Sequence, residues 1–293
     1  MPPTLALVQF QPRLGDLHAN LERHLDWIRR ARSQGADVVV FPELSLTGYI
    51  LQDLVPVVAR RPRREDPIFG PLLEASRTVD VVVGFVEEDQ RSRFFNSAAY
   101  LSQGQVVHVH RKVYLPTYGM FDEGRFFAWG DHVAAFDTRF GRFGLLICED
   151  FWHVSPPYLL WLDGADVMIF PMASPGRGIV PAAPKLSTAR WVEAVVQAYA
   201  GLFTVFTAFV NRTGFEDGIH FWGGSAIYGP DGSLLAQAPY SQEALLLQEL
   251  DLRALHRARA RLPLLRDERT ALFQRELARI LERRELPKAP PRF

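Results

Sequence analysis

The sequence has one cysteine, Cys148, at the end of the apolar run FGLLIC, followed at once by Glu149 and Asp150. The plain reading of a lone cysteine in an apolar run is an inert core thiol, since free cysteines are among the most buried residues. Its surroundings argue otherwise. EDFW breaks the run abruptly and a helix is expected soon after, so the thiol stands at a strand-to-helix turn at the carboxyl end of a sheet. A nucleophile in such a turn is pushed out of the sheet, and backbone N–H groups beside it can face a developing oxyanion.

A thiol working near neutral pH needs a base and a positive neighbour. None of the eight histidines is an obvious partner, although His153 lies five residues along. A carboxylate–lysine pair meets the same need. The carboxylate takes the thiol proton and the ammonium stabilises the tetrahedral oxyanion. Glu43, in VVVFPELSLTGY, directly follows a strand ended by Pro42. A strand-end acid is ordinarily solvated, but the apolar residues and Gly48-Tyr49 after it point to a pocket. Lys112, in HVHRKVYLPTYGMFDEGRFF, reads equally as a solvated lysine, a structural ion pair or a functional cation. His108 and His110 share one face of a strand and could begin a zinc site. The further His and Asp ligands lack convincing contexts, so no metal and no cofactor are expected.

The elements that must position these residues alternate between short apolar runs and helical stretches. Strands are expected at 5–10, 37–41, 80–85, 96–102, 105–114, 132–138, 143–148, 164–171, 204–210, 225–237 and 244–250. Helices are expected at 16–33, 68–78, 155–163 and 185–201; Asp16 serves as N-cap of the first, with Leu17, Leu21, Leu25 and Ile28 at helical spacing. Nearly continuous apolar strands are those covered on both faces. GADVVVFP (35–42) and GADVMIFP (164–171) are almost one phrase, which predicts two similar βα halves. The fold expected is a two-sheet sandwich with helices outside; no G-x-G-x-x-G follows the first strand, against a Rossmann domain. One domain over 1–252 is expected, then an Arg-rich helical tail over 253–293 with an apolar stripe at Phe273, Leu277, Ile280 and Leu281. Five acids between 266 and 285 argue against that tail being an RNA-binding arm.

The 293 residues carry 48% apolar and 12% aromatic side chains, enough for a sizeable core. Lys plus Arg and Asp plus Glu balance at 33 each, so nothing draws the chain to nucleic acid or an anionic membrane. No apolar run approaches the roughly 18–20 residues that span a bilayer. One cysteine forms no internal disulfide, and the start MPPTLALVQF lacks the features of a signal peptide. A soluble, cytoplasmic protein is the expectation.

FPELSLTGY, RKVYLPTYGMFDEGRFF and GLLICEDFW, in this order, resemble the three signature blocks of the nitrilase (carbon–nitrogen hydrolase) superfamily. The resemblance extends over nearly the whole chain, including NRTGFEDGIHFWGGSAIYGPDG at 211–232. It implies a four-layer α-β-β-α sandwich, with Glu43 as general base, Lys112 as the oxyanion-stabilising lysine and Cys148 as nucleophile. Glu123 would be the second glutamate supporting the site. Within the superfamily, LPTYGMFDEGRFF and CEDFW look most like the glutaminase domains of glutamine-dependent NAD synthetases. That likeness implies that Tyr118, Glu149 and Ser174 hold an amino-acid-like substrate, Glu149 accepting from its α-ammonium; shared amidase architecture explains the three residues as well. The segment GRGIVPAAPK does not reproduce the basic residue of those domains, for which Arg177 and Lys185 are the candidate substitutes. No S-G-G-x-D-S pyrophosphatase motif occurs, which favours a stand-alone amidase. The expected reaction is hydrolysis of a small non-peptide amide, including glutamine, through a Cys thioester. N-carbamoyl amino acids and nitriles are the alternative substrates. A glutaminase subunit of a separate synthetase, or a non-catalytic partner of one, are the alternative roles. Partners are the amide and water, with self-association into a dimer or larger assembly through outer helices and the tail.

Overall fold

The computed structural model describes residues 2–177 and 185–285. In chain order the elements begin β1 (Thr4–Gln9), α1 (Leu17–Ser33), β2 (Val38–Val40), α2 (Val55–Val58), α3 (Phe69–Ala75), β3 (Asp80–Glu88), β4 (Phe94–Ser102) and β5 (Gln105–Arg111). They continue with β6 (Phe136–Thr138), β7 (Gly141–Leu145), α4 (Ser155–Leu162), β8 (Val167–Met172), α5 (Ser187–Phe203), β9 (Phe206–Asn211), β10 (Thr213–Glu216) and β11 (Ile219–Trp222). Last come β12 (Ala226–Tyr228), β13 (Leu234–Gln237), β14 (Ala244–Glu249), α6 (Arg253–Arg261), α7 (Leu264–Asp267) and α8 (Thr270–Glu285).

Two six-stranded sheets form, in the orders β14-β1-β2-β3-β4-β5 and β13-β12-β9-β8-β7-β6, with β10–β11 as a separate hairpin. Alternation within each strand builds the layers, because successive side chains point to opposite faces. Leu5, Leu7, Val38, Val40 and Val82 of the first sheet meet Leu145, Val167, Ile169 and Ala208 of the second in a shared inner core. Ala6, Val8, Val39, Val81 and Val83 turn outward to pack with Leu17, Leu21 and Ile28 of α1 and Phe69 and Leu72 of α3. Met168 and Phe170 turn outward to Leu160 of α4 and Val192 and Val196 of α5. This is the α-β-β-α sandwich. Among the described residues no helix is long and apolar enough to cross a membrane.

The two similar phrases hold to the hydrogen bond. Gly35 and Gly164, both at φ +85°, close α1 and α4 in the left-handed conformation that glycine adopts without penalty. Ala36 N–H then donates to Ala31 O at 3.1 Å, and Ala165 N–H to Leu160 O at 3.0 Å. Asp37 N–H donates to Thr4 O, and Asp166 N–H to Arg142 O. Each phrase becomes the middle strand of a parallel trio, β1-β2-β3 or β7-β8-β9. The two trios meet at these ends: Glu43 follows β2, Ala173 follows β8, and the Ala173 N–H donates to Glu43 Oε2.

Several boundaries differ from expectation. The strand expected to run to Cys148 stops at Leu145, and Cys148 opens a 3-10 turn, Cys148–Trp152. The expected strand at 132–138 shrinks to Phe136–Thr138, and that at 105–114 stops at Arg111. The expected 225–237 is two short strands, and the hairpin β10–β11 was not foreseen. Beyond β14, Leu255 of α6 is buried in the inner core and Arg259 reaches Asp166 at 2.9 Å. Phe273, Leu277, Ile280 and Leu281 of α8 lie exposed, as do Trp191 and Leu202 of α5.

Candidate active site

Glu43 stands just past β2, Lys112 just past β5, and Cys148 three residues past β7, all at the carboxyl ends of their strands. Ligands in open α/β sheets gather at such ends. Glu43 and Lys112 are each 1% exposed, so this strand-end acid and this lysine are not solvated. Lys112 Nζ donates to Glu43 Oε1 and to Glu123 Oε1, 2.7 Å in both cases. Glu123 arrives from a 3-10 turn, Glu123–Arg125, whose N–H reaches back to Pro116 O.

The remaining contacts of the two acids hold them still. Asn96 Nδ2 donates to Glu43 Oε1 at 2.8 Å, and the Ala173 N–H donates to Glu43 Oε2 at 2.8 Å. Ala173 follows β8, so the second repeat steadies the acid carried by the first. Tyr49 OH donates to Glu123 Oε1. Gly84 lies beneath the Glu43 loop, where a Cβ would stand 2.4 Å from Pro42 O and 2.5 Å from Leu44 N. A buried pair, Arg212 and Glu216, ties the β10–β11 hairpin to this region. Arg212 Nη1 meets Glu216 Oε2 at 2.7 Å, while Glu216 Oε1 accepts from the N–H groups of Tyr49 and Ile50, both at 2.7 Å.

The charges are strongly coupled. Burial alone pulls Lys112 down, but the carboxylates of Glu123 and Glu43 outweigh it and hold the ammonium well above the ordinary lysine value. Burial, with Glu43 adding to it and Lys112 opposing, pushes Glu123 up to about 7. Cys148 is raised well above the ordinary thiol value, first by burial and then by Glu43, against the pull of Lys112. A sulfur so placed must shed its proton to act as a nucleophile. Cys148 itself has φ +45°, a strained conformation for a residue with a Cβ.

Glu149, next in sequence, accepts from Tyr118 OH at 3.1 Å and 2.9 Å on its two oxygens. Burial raises the Glu149 carboxyl, while Tyr118 opposes the rise. The Tyr118 phenol is pushed up to about 12 by burial and by this carboxylate, so it stays a donor. Tyr118 is 56% exposed, leaving this side open to solvent. Arg177 lies over the Phe121 ring at 5.1 Å and close to Gly119, next to Tyr118. Lys185 instead pairs with Glu193 at 2.9 Å. Of the two stand-ins for a basic residue, Arg177 is the one near Tyr118; Gly178 to Pro184 lie outside the described residues. Ser174 is buried, its N–H donating to Asn211 Oδ1 and its hydroxyl accepting from Trp222 Nε1. A cleft of about 240 Å³ adjoins the centre at Tyr49, Phe121 and Glu123, though Cys148 and Lys112 do not line it.

The histidines divide. His153 stacks on Tyr114 with ring centroids 3.6 Å apart and lies 3.8 Å from Glu149. His108 stacks on Phe136, whereas His110 turns to Asp150 at 2.8 Å, so the two do not converge on one point. Asn96, Asp150, Arg212, Glu216 and the Tyr49 hydroxyl also belong to the site, although the sequence pattern alone does not assign them there. Asn96 had a signal: a polar side chain within the otherwise apolar strand NSAAYLS. Asp150 was hidden by Glu149, its acidic neighbour.

The carbon-nitrogen hydrolase family model matches residues 4–260. The glutamine-dependent NAD(+) synthetase of Acinetobacter baylyi is 33% identical over 251 residues, covering 85% of this chain and 44% of that protein. Its namesake from Thermotoga maritima is 31% identical over 252 residues, covering 85% and 42%. The chain thus spans less than half the length of the curated relatives it matches. The solved glutamine-dependent NAD+ synthetase from Acinetobacter baumannii superposes with a TM-score of 0.76 at 29% identity, covering 87% of this chain and 47% of that one. The carbon-nitrogen hydrolase from Helicobacter pylori G27 shares the fold, with a TM-score of 0.81 at 22% identity over 94% of this chain and 98% of that one. From the strand-end acid to the four-layer fold and the span of the family match, this chain belongs to the carbon–nitrogen hydrolase family and is a hydrolase of carbon–nitrogen bonds.

Proposed function

We propose that this chain hydrolyses the primary amide of a small amino-acid-like substrate of the glutamine type, through a thioester on Cys148. One observation carries the reading: a buried ammonium held by two carboxylates, coupled electrostatically to the only thiol, with Glu149 and Tyr118 immediately beside it. In the reaction Glu43 takes the Cys148 proton as sulfur bonds to the amide carbon. The carbonyl electron pair moves onto oxygen, where Lys112 and the Glu149 N–H receive it; each such contact contributes roughly 3 kcal/mol in related chemistry. The intermediate collapses, the C–N bond breaks, and nitrogen leaves as ammonia with the proton from Glu43. Water then attacks the thioester, giving a proton to Glu43. The C–S bond breaks and the proton returns to sulfur. Glu123 serves as a second anchor for Lys112.

Glu149 supplies a carboxylate for an α-ammonium, Tyr118 orients it, and Arg177 offers a cation for an α-carboxylate. Ser174 lines the same pocket in this proposal. Ammonia release across L-glutamine, simple aliphatic amides, N-carbamoyl amino acids and nitriles tests it. The expected result is fastest release from the amino-acid amide and none from Cys148→Ala. Preference for a carbamoyl compound or a nitrile overturns the substrate assignment. The similarity to glutamine-dependent NAD(+) synthetases supports a second reading, in which ammonia passes to an ATP-dependent synthetase. Co-purification with such a partner, and ammonia transfer to its acceptor, would favour it.

A further inference from the structure

Asp150 is fully buried, and its carboxylate gathers four contacts from two separate stretches of chain. Oδ2 accepts from the Ile147 N–H at 2.9 Å and lies 2.8 Å from His110 Nε2. A carboxylate oxygen there requires the Nε2–H form of the imidazole. Oδ1 accepts from the N–H groups of Val113 and Tyr114, both at 2.9 Å. Ile147 immediately precedes Cys148, Val113 immediately follows Lys112, and His110 stands two residues before it. One side chain thus grips the backbone beside both the thiol and the ammonium, which come from different sheets. The Asp150 N–H also donates to Ile147 O at 3.0 Å, closing the turn from the other side around the strained Cys148. A non-glycine residue stays at positive φ only where its surroundings hold it.

We propose that Asp150 is a positioning residue for the hydrolysis: it fixes the sulfur of Cys148 against the ammonium of Lys112. The inference rests on the reading of Cys148 as nucleophile. If the clamp matters, loosening it misplaces the forming oxyanion from Lys112 while leaving substrate binding at Glu149 and Tyr118 in place. The cost then falls on the chemical step.

Asp150→Asn isolates the effect, because it keeps volume and packing. An amide has one acceptor oxygen. If that oxygen keeps Val113 and Tyr114, the Nδ2 group faces the Ile147 N–H, donor against donor; if it flips, the other side opens. Three readouts are taken on purified protein: kcat and KM for the amide giving fastest ammonia release, the rate of Cys148 exchange with a small aromatic disulfide, and the thermal midpoint. Expected for Asp150→Asn is a fall in kcat of about 100-fold, the scale of a 1 Å misplacement. KM stays within about 3-fold on the same reasoning; disulfide exchange, which needs the thiolate but no oxyanion contact, falls by less than kcat does. Unchanged kcat overturns the proposal. A parallel collapse of kcat, exchange rate and thermal midpoint also overturns it, since that marks a merely structural acid. Should Asp150→Asn not fold, His110→Asn carries the test: a kcat loss at constant KM supports the clamp, and unchanged kcat overturns it. Turnover by Cys148→Ala would instead sink the nucleophile assignment, a distinguishable failure.

Discussion

Glu123→Gln separates charge from shape at the centre of the site. Glu123 Oε1 accepts from both Lys112 Nζ and Tyr49 OH, and among the described residues the buried Oε2 has no partner. A glutamine can keep its oxygen on both donors and place its amide nitrogen where Oε2 stood. The substitution therefore resembles Glu123 protonated on Oε2. Because Glu123 is pushed up to about 7, the wild type passes between these two states in the working range of pH. An ionised acceptor contributes about 1.5–3 kcal/mol and a neutral one about 1, so losing the charge weakens the hold on Lys112 by about 1–2 kcal/mol. That is roughly 5- to 30-fold in rate at 1.36 kcal/mol per tenfold. At pH 8, where the wild-type carboxylate is ionised, Glu123→Gln should lower kcat/KM by that factor. At pH 6, where only about a tenth of it is ionised, the same arithmetic shrinks the difference to roughly 1.4- to 4-fold. Initial rates of ammonia release at half-unit steps from pH 5.5 to 8.5 measure the ratio. Equal activity at pH 8 refutes the role of the charge, and an equal deficit at every pH shows that shape alone was lost.

Other predictions follow from particular contacts. Glu149→Gln and Tyr118→Phe should raise KM for an α-amino acid amide by about tenfold or more, while an amide lacking the ammonium shows no such rise; each lost charged hydrogen bond accounts for that scale. Gly84→Ala drives a Cβ into Pro42 O and Leu44 N beneath Glu43, so chemical denaturation should show a loss of about 1–3 kcal/mol, with activity falling too. Fully buried His24, hydrogen-bonded to Asn20 O and Ser45, is lowered to about 4 by burial. Between pH 6.5 and 4 the unfolded chain takes up a proton there and the folded one does not, so stability falls as pH falls, by up to about 3 kcal/mol. Glu123, raised by burial, acts in the opposite sense between pH 4.5 and 7, so the His24 contribution is read from the difference between wild type and His24→Gln. Sedimentation should give a mass above the monomer, with charged residues at Phe273 and Leu277 reducing it; a monomer throughout would exclude self-association.

Much of the fold was legible because strands buried on both faces write themselves as apolar runs. The repeated GADVxxFP phrase marked the two central strands and their glycine stops. Glu43 and Lys112 were legible as residue types in the right order, but their burial and mutual distance were not, because these arise from loops folding over the strand ends. Asn96, Arg212 and Glu216 act through partners 53 to 167 residues away or through a hairpin with no strong periodicity. Cys148 was placed correctly at a turn, yet its left-handed backbone cancelled the strand expected to reach it. Local patterning carries no information on such a conformation, which the Asp150 contacts hold in place.

The central claim is that Cys148 becomes covalently acylated. Intact-protein and peptide mass spectrometry after rapid acid quench, with L-glutamine and with the amide giving the fastest ammonia release, tests it most directly. The expected result is a mass increase equal to substrate less ammonia, confined to the peptide carrying Cys148 and absent from Cys148→Ala. Ammonia release that continues in Cys148→Ala, or an acyl group mapped to another residue, would contradict it.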